Sequence, residues 1–120
     1  MAKILIVDDN ESFAKSLKRL IKNIYGYESD IKTNPVEALE DFKSNSYRLI
    51  FSDTEMPQML GYDFAVKVRE YGKEVQIIGM SGKDEYKEIW EKIGCKFVYK
   101  PCIAREIDEG ELSDIIKNIE

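Results

Sequence analysis

Five strand-like runs, four of them apolar, each followed by a stretch with helical periodicity, leave this 120-residue chain few folds to choose from. Lys3 to Val7 (KILIV) is continuous and apolar, the pattern of a strand buried on both faces. Tyr27 to Thr33 is polar and weakly alternating, which suits an edge strand. Leu49 to Phe51, Val75 to Met80 (VQIIGM) and Phe97 to Tyr99 supply three more strands.

Between the strands, Phe13, Leu17, Leu20 and Ile24 recur at helical spacing, with Asn10 as a cap and Gly26 as a stop. Asn34-Pro35-Val36-Glu37 starts a second helix that runs to about Lys43. Phe64, Val68 and Tyr71 mark a third, stopped by Gly72, and Tyr86, Ile89 and Ile93 a fourth, stopped by Gly94. Asp108 and Glu111 form a capping box, so the last helix is expected to begin near Glu109, with Leu112, Ile115, Ile116 and Ile119 along one face. Strand–helix alternation of this kind predicts an α/β fold: a doubly wound, five-stranded parallel sheet with helices on both faces.

A chain of this length holds one core, so residues 1–120 are expected to form a single domain. The formal charge of −5 argues against nucleic acid as a partner, since phosphate binding needs a basic face. No apolar run is long enough for a membrane span and no signal peptide opens the chain, so the expected location is cytoplasmic. Cys95 and Cys102 make neither a disulfide framework nor a metal site and read as reduced thiols. The absence of histidine decides the most. It removes serine–histidine hydrolysis, histidine-ligated zinc and any phosphohistidine carried by the chain itself. Chemistry is left to carboxylates, lysine and hydroxyls.

The run Leu49-Ile50-Phe51 stops at Asp53, and Pro57 turns the chain a few residues on. Taken alone, Asp53 reads as a loop cap. However, the first, third, fourth and fifth strands end in Asp8-Asp9, Asp53, Ser81 and Lys100. In a parallel sheet these ends share one edge, the edge at which open α/β sheets bind ligands. Converging carboxylates repel unless a cation is present or a proton is retained. Lys100 supplies one positive charge, and a hard divalent cation on oxygen ligands, Mg²⁺, would supply the rest. A carboxylate so placed can attack phosphorus and form an aspartyl phosphate. Ser81 offers a hydroxyl donor at the same edge, and Gly82 leaves its backbone N–H open to an oxyanion.

IVDD at 6–9, SDTEMP at 52–57, Gly61, MSG at 80–82 and YKP at 99–101 closely resemble the receiver domain of bacterial two-component response regulators, over essentially the whole chain and in order. The resemblance implies a flavodoxin-like sheet of strand order 2-1-3-4-5. It makes Asp53 the acceptor of a phosphoryl group from a sensor histidine kinase, a phosphotransfer protein or a small donor such as acetyl phosphate. Asp9 and Asp53 would ligate Mg²⁺ directly, Asp8 through a water, and Glu55 through its backbone carbonyl. Lys100 would pair with a phosphoryl oxygen, while Ser81 and Phe97 take the places of the family's switch hydroxyl and switch aromatic. Such a protein catalyses only its own phosphorylation and dephosphorylation and is otherwise not an enzyme.

The sequence departs from the family pattern in three places. Leu60 precedes Gly61 where an aspartate is common, Glu55 adds a fourth acid, and residues 102–107 look like an insertion. Ile103 and Ile107 are four apart, so that segment is expected to form a buried helical turn. Read as a receiver without an output domain, the chain is expected to act by a change in protein binding, through the face made by the fourth helix, fifth strand and fifth helix, by homodimer formation, or by relaying the phosphoryl group. Two alternatives stand beside this reading. Asp53-Thr54-Glu55 faintly imitates the nucleophile motif of haloacid-dehalogenase phosphatases, and a degenerate receiver could bind partners without phosphorylation.

Overall fold

Successive residues of a strand point to opposite sides of a sheet, so central strands that are apolar throughout need a core on each side. The computed structural model, which describes residues 2–72 and 74–119, has two such cores. Its strands are β1 (Ile4–Val7), β2 (Ser29–Lys32), β3 (Leu49–Asp53), β4 (Gln76–Ser81) and β5 (Lys96–Tyr99), all parallel, in the order β2-β1-β3-β4-β5. The helices are α1 (Glu11–Tyr25), α2 (Pro35–Ser44), α3 (Gly61–Tyr71), α4 (Lys87–Lys92), α5 (Ile103–Glu109) and α6 (Glu111–Lys117). Ile4, Ile6, Phe51 and Met80 face the core closed by α1, α5 and α6. Leu5, Val7, Ile50 and Ile77 face the one closed by α2, α3 and α4. All four residues of β1 are 0% exposed, so the strand that leads into Asp8 cannot shift.

Register then aligns the strand ends. Val7 pairs with Ser52, Asp53 with Met80, and Ser81 with Tyr99, so Asp8, Asp53, Ser81 and Lys100 reach the same edge. Two helix starts are fixed by the predicted caps. The Asn10 side chain accepts the Phe13 N–H at 3.1 Å, and Asn34 accepts the Val36 N–H at 2.8 Å with Pro35 at the first helical position. Each such cap contributes about 1 kcal/mol.

Three helix faces differ from the sequence reading. The buried stripe of α1 is Ala14, Leu17 and Ile21, with Phe13 and Leu20 beside it, while Ile24 is 38% exposed. Tyr71 of α3 is an exposed residue whose ring lies under the Lys43 ammonium, 4.8 Å from its centre. In α4 the anchor is Trp90, flanked by Tyr86 and Ile93 at the i−4 and i+3 positions, whereas Ile89 is exposed.

The C-terminal region corrects one further expectation, the capping box. Lys100–Cys102 forms a 3-10 turn that leads directly into α5, so residues 102–107 carry the buried helical turn expected from Ile103 and Ile107, and the last helix begins at Glu111, two residues beyond the expected Glu109. Asp108 lies inside α5, and no side-chain cap bond starts α6, so the Asp108–Glu111 capping box does not form. The physical reason is burial. Ile103 and Ile107, 7% and 0% exposed, enter the α1-side core, and the Tyr25 hydroxyl donates to the Ile107 carbonyl. Apolar burial of roughly 1.5–3 kcal/mol per side chain outweighs a capping preference. The helix breaks at Gly110 instead.

Ile107→Ala should therefore lower stability by about 2–5 kcal/mol in urea unfolding. Ile24→Ala, on the stripe read from the sequence, should change it by about 0.5 kcal/mol or less.

Candidate functional site

The edge reached by the strand ends is acidic. One carboxylate oxygen from each of Asp8, Asp9 and Asp53 lies within 4.8 Å of the other two. Asp8 is fully buried and Asp53 nearly so, while Asp9 is exposed and forms the solvent side of the cluster. Asp8 follows β1 and is held from two directions. Its backbone N–H donates to the Lys32 carbonyl at 3.1 Å, and its Oδ1 accepts the Asn10 N–H at 2.9 Å.

Lys100, the residue after β5, bridges the two buried acids. Its Nζ is 2.9 Å from Asp8 Oδ2 and 3.1 Å from Asp53 Oδ1. The same ammonium lies 4.5 Å from the centre of the Phe13 ring, whose π face adds a favourable contact on the α1 side. Burial alone would push the Lys100 pKa down, but Asp8 and Asp53 outweigh it and hold the group above its usual value. Burial also pushes Asp53 up, from 3.8 to about 7, with the Asp8 charge adding to the effect and Lys100 offsetting part of it. Three carboxylates against one ammonium form a hard, all-oxygen donor set, and these residues fit a divalent cation.

The other predicted residues are placed as follows. Ser81 is buried at the end of β4, where its Oγ accepts the Lys83 N–H at 2.9 Å. That leaves the hydroxyl proton for an acceptor in the site. Gly82 is exposed, and a Cβ there would meet no atom within 4 Å, so space alone does not demand glycine. Glu55 is exposed and its carboxylate lies 3.1 Å from Lys83 Nζ, tying the loop after β3 to the loop after β4. Lys83 is the main cause that keeps the Glu55 pKa below its usual value. Phe97 pairs with Gly79 in the ladder and lies half-buried against the α4-side core. Gly61 starts α3 in the closest contact of all. A Cβ there would fall 1.9 Å from the Asp53 carbonyl oxygen, so only glycine lets α3 approach the acidic strand end.

Sequence reasoning missed Thr54, Trp90 and the second role of Phe13. Thr54 Oγ1 donates to the Met80 carbonyl at 2.7 Å and accepts the Trp90 indole N–H at 2.9 Å, all of it buried. Spacing could not single out Trp90, because 86/89/93 and 86/90/93 fit one helix face equally well.

This geometry is that of a known family. Residues 4–117 match the model of the response regulator receiver domain. Over 92 residues the chain is 33% identical to the sensor protein EvgS of Escherichia coli, a match covering 77% of this chain and 8% of that protein. It is 32% identical over 108 residues to the transcriptional regulatory protein SrrA of Staphylococcus aureus, covering 88% and 44% respectively. The chain thus spans less than half the length of these curated relatives. Among solved structures, the response regulator protein TrrA of Thermotoga maritima, in complex with Mg²⁺-BeF, superposes with a TM-score of 0.83 at 30% identity, covering 100% of both chains. The chain belongs to the response regulator receiver domain family, and its fold is the five-stranded receiver fold with strand order 2-1-3-4-5. It is a two-component receiver, and the phosphatase alternative drawn from Asp53-Thr54-Glu55 is set aside.

The raised Asp53 pKa has a consequence for stability. Between pH 3.8 and about 7 the folded protein holds a proton that the unfolded chain has released. The metal-free protein should therefore lose stability as pH rises through that window, and ionised Asp53 should weigh against the fold above it. Thermal unfolding of wild type and Asp53→Asn across this range should show the decline flattened in the variant. Added divalent cation should restore the wild type above neutrality.

Proposed function

We propose that Asp53 is the phosphoacceptor of a Mg²⁺-dependent, phosphorylation-driven switch. The observation that carries this reading is the bridge from Lys100 to both Asp53 and Asp8, beside the open Asp9. Asp9 and Asp53 would hold Mg²⁺ directly, Asp8 through a water, and Glu55 through its backbone carbonyl. When bound, the cation supplies the remaining positive charge needed to bring an anionic phosphoryl group against the acids.

An Asp53 carboxylate oxygen attacks phosphorus, and the bond from phosphorus to the donor breaks as the new P–O bond forms. With a histidine kinase or a phosphotransfer protein the departing group is an imidazole nitrogen. With acetyl phosphate it is acetate. Lys100 turns from its ion pair with Asp53 to a phosphoryl oxygen, while the Ser81 hydroxyl and the Gly82 N–H donate to the others. Neutralising an oxygen on Asp53 that Lys100 formerly paired rearranges β5, and Ser81 and Phe97 are the residues that respond.

The output is a change in binding at the face formed by α4, β5 and α5, toward a protein target or a second copy of the chain. Residues 1–120 act as one receiver unit in the cytoplasm. Among the described residues no helix is long and apolar enough to cross a membrane. The protein's catalysis is confined to its own phosphorylation and dephosphorylation.

Incubation with acetyl phosphate and Mg²⁺ should add one phosphoryl group by intact mass, and Asp53→Asn should add none. A fully labelled Asn variant would place the acceptor elsewhere. Asp9→Ala should weaken Mg²⁺ binding and labelling together. Lys100→Ala should still label, about tenfold or more slowly for loss of a charged contact worth over 1.4 kcal/mol, and its phosphorylated form should lack the NMR shifts at residues 81–99.

A further inference from the structure

α4 is fastened to the domain by one fully buried side chain, and that side chain is bonded to the residue next to Asp53. Trp90 is 0% exposed and is the only buried residue of the six-residue helix. Its indole N–H donates to Thr54 Oγ1 at 2.9 Å, and the Thr54 hydroxyl donates in turn to the Met80 carbonyl at 2.7 Å. Thr54 follows Asp53, and Met80 precedes Ser81. The chain of bonds thus joins α4 to the ends of β3 and β4, one residue away from the acceptor and from the site hydroxyl.

The surroundings are built for the indole. A Cβ on Gly79 would lie 2.1 Å from the Trp90 ring, so β4 carries glycine where the ring rests on the sheet. A Cβ on Gly61 would lie 3.0 Å from the same ring. Tyr62 meets it edge-on, 6.3 Å between centroids at 86°. The indole cannot slide without breaking a fully buried hydrogen bond, and such a loss is costly.

We propose that the Trp90–Thr54 bond couples the acceptor site to α4, so that Trp90 is a positioning residue that transmits the state of Asp53 to the α4 side of the binding face. This rests on Asp53 being the acceptor. Movement of the β3 end about a phosphoryl group displaces the Thr54 hydroxyl, and the indole moves with it. Because Trp90 is the one fully buried side chain of α4, the helix follows.

Beryllofluoride with Mg²⁺, as a phosphoryl mimic, serves as the probe. Trp90 is the single tryptophan of the chain, so its indole N–H gives one NMR resonance. Backbone hydrogen exchange reports on residues 87–92. In wild type, adding the probe should shift the indole resonance and alter exchange in α4. Thr54→Val removes the acceptor, should still bind the probe, and should cut the α4 response threefold or more. Thr54→Ser keeps the hydroxyl and should restore it. Trp90→Phe keeps most of the ring volume without the N–H and should match Thr54→Val. The double variant should lose no more than either single one, because both remove the same bond.

An α4 response left intact in Thr54→Val and Trp90→Phe would overturn the coupling. So would a wild type that responds at residues 52–54 but not in α4. If Thr54→Val does not fold, Trp90→Phe carries the same comparison. Wild type that fails to bind the probe at all would overturn the acceptor assignment itself, a different result from loss of coupling.

Discussion

Mutual repulsion among Asp8, Asp9 and Asp53 is the constraint on which the rest of the structure depends. Two unit charges about 4 Å apart repel by roughly 4 kcal/mol at an effective dielectric near 20. Flexible loops would relieve that by turning the side chains apart. Here two of the three acids cannot turn away. Asp8 sits at the end of a strand with no exposed residue, held by the Asn10 N–H, and Asp53 ends a β3 that is buried throughout. Two cores, one on each face of the sheet, are what keep those ends in place. The domain holds its charged edge in a state that a proton, an ammonium or a cation can each relieve in part.

Lys100 shows how that relief is arranged. It is not simply a nearby positive charge, because it spans both buried acids and lies against Phe13 at the same time. Its position comes from β5 on one side and from the 3-10 turn through Pro101 on the other. That turn runs into α5, whose Ile103 and Ile107 are packed in the α1-side core. Lys100 is therefore tied by the chain itself to both β5 and α5. The helix that departs from the family pattern in sequence is thus part of what holds the ammonium.

Much of the site was legible because it depends on strand ends, and strands announce themselves through short apolar runs. Asp8, Asp9, Asp53, Ser81 and Lys100 could be assembled from alternation and parallel pairing alone. The C-terminal helices were less so. The buried turn at Ile103 and Ile107 was readable from their spacing, but Asp108 and Glu111 have capping-box spacing too, and that local preference of about 1 kcal/mol is lost because Asp108 continues α5. Trp90 was hidden for a related reason. Ile89 and Trp90 are both apolar neighbours on a short helix, and the choice between them rests on Gly79 of a distant strand making room for the ring. Thr54 carried no apolar signal at all. Its role exists only once β3, β4 and α4 are brought together.

The helices are not attached with equal strength, and this bears on which can move. α1 has fifteen residues, buries Ala14, Leu17 and Ile21, and is closed by the Asn10 side chain at its start and the Gly26 backbone N–H at its end. α4 has six residues, no side-chain cap and one buried anchor. A helix that short is not stable on its own in water, so its position is set by tertiary contact. Elements with few buried contacts lie at the low-stability end of a fold, where small changes in neighbouring geometry redistribute conformations. The rigid strands can hold charge in place without moving far. A sub-ångström shift at the end of β3 is thus better expressed in α4 than in the sheet, because the sheet has two cores resisting it and α4 has one indole.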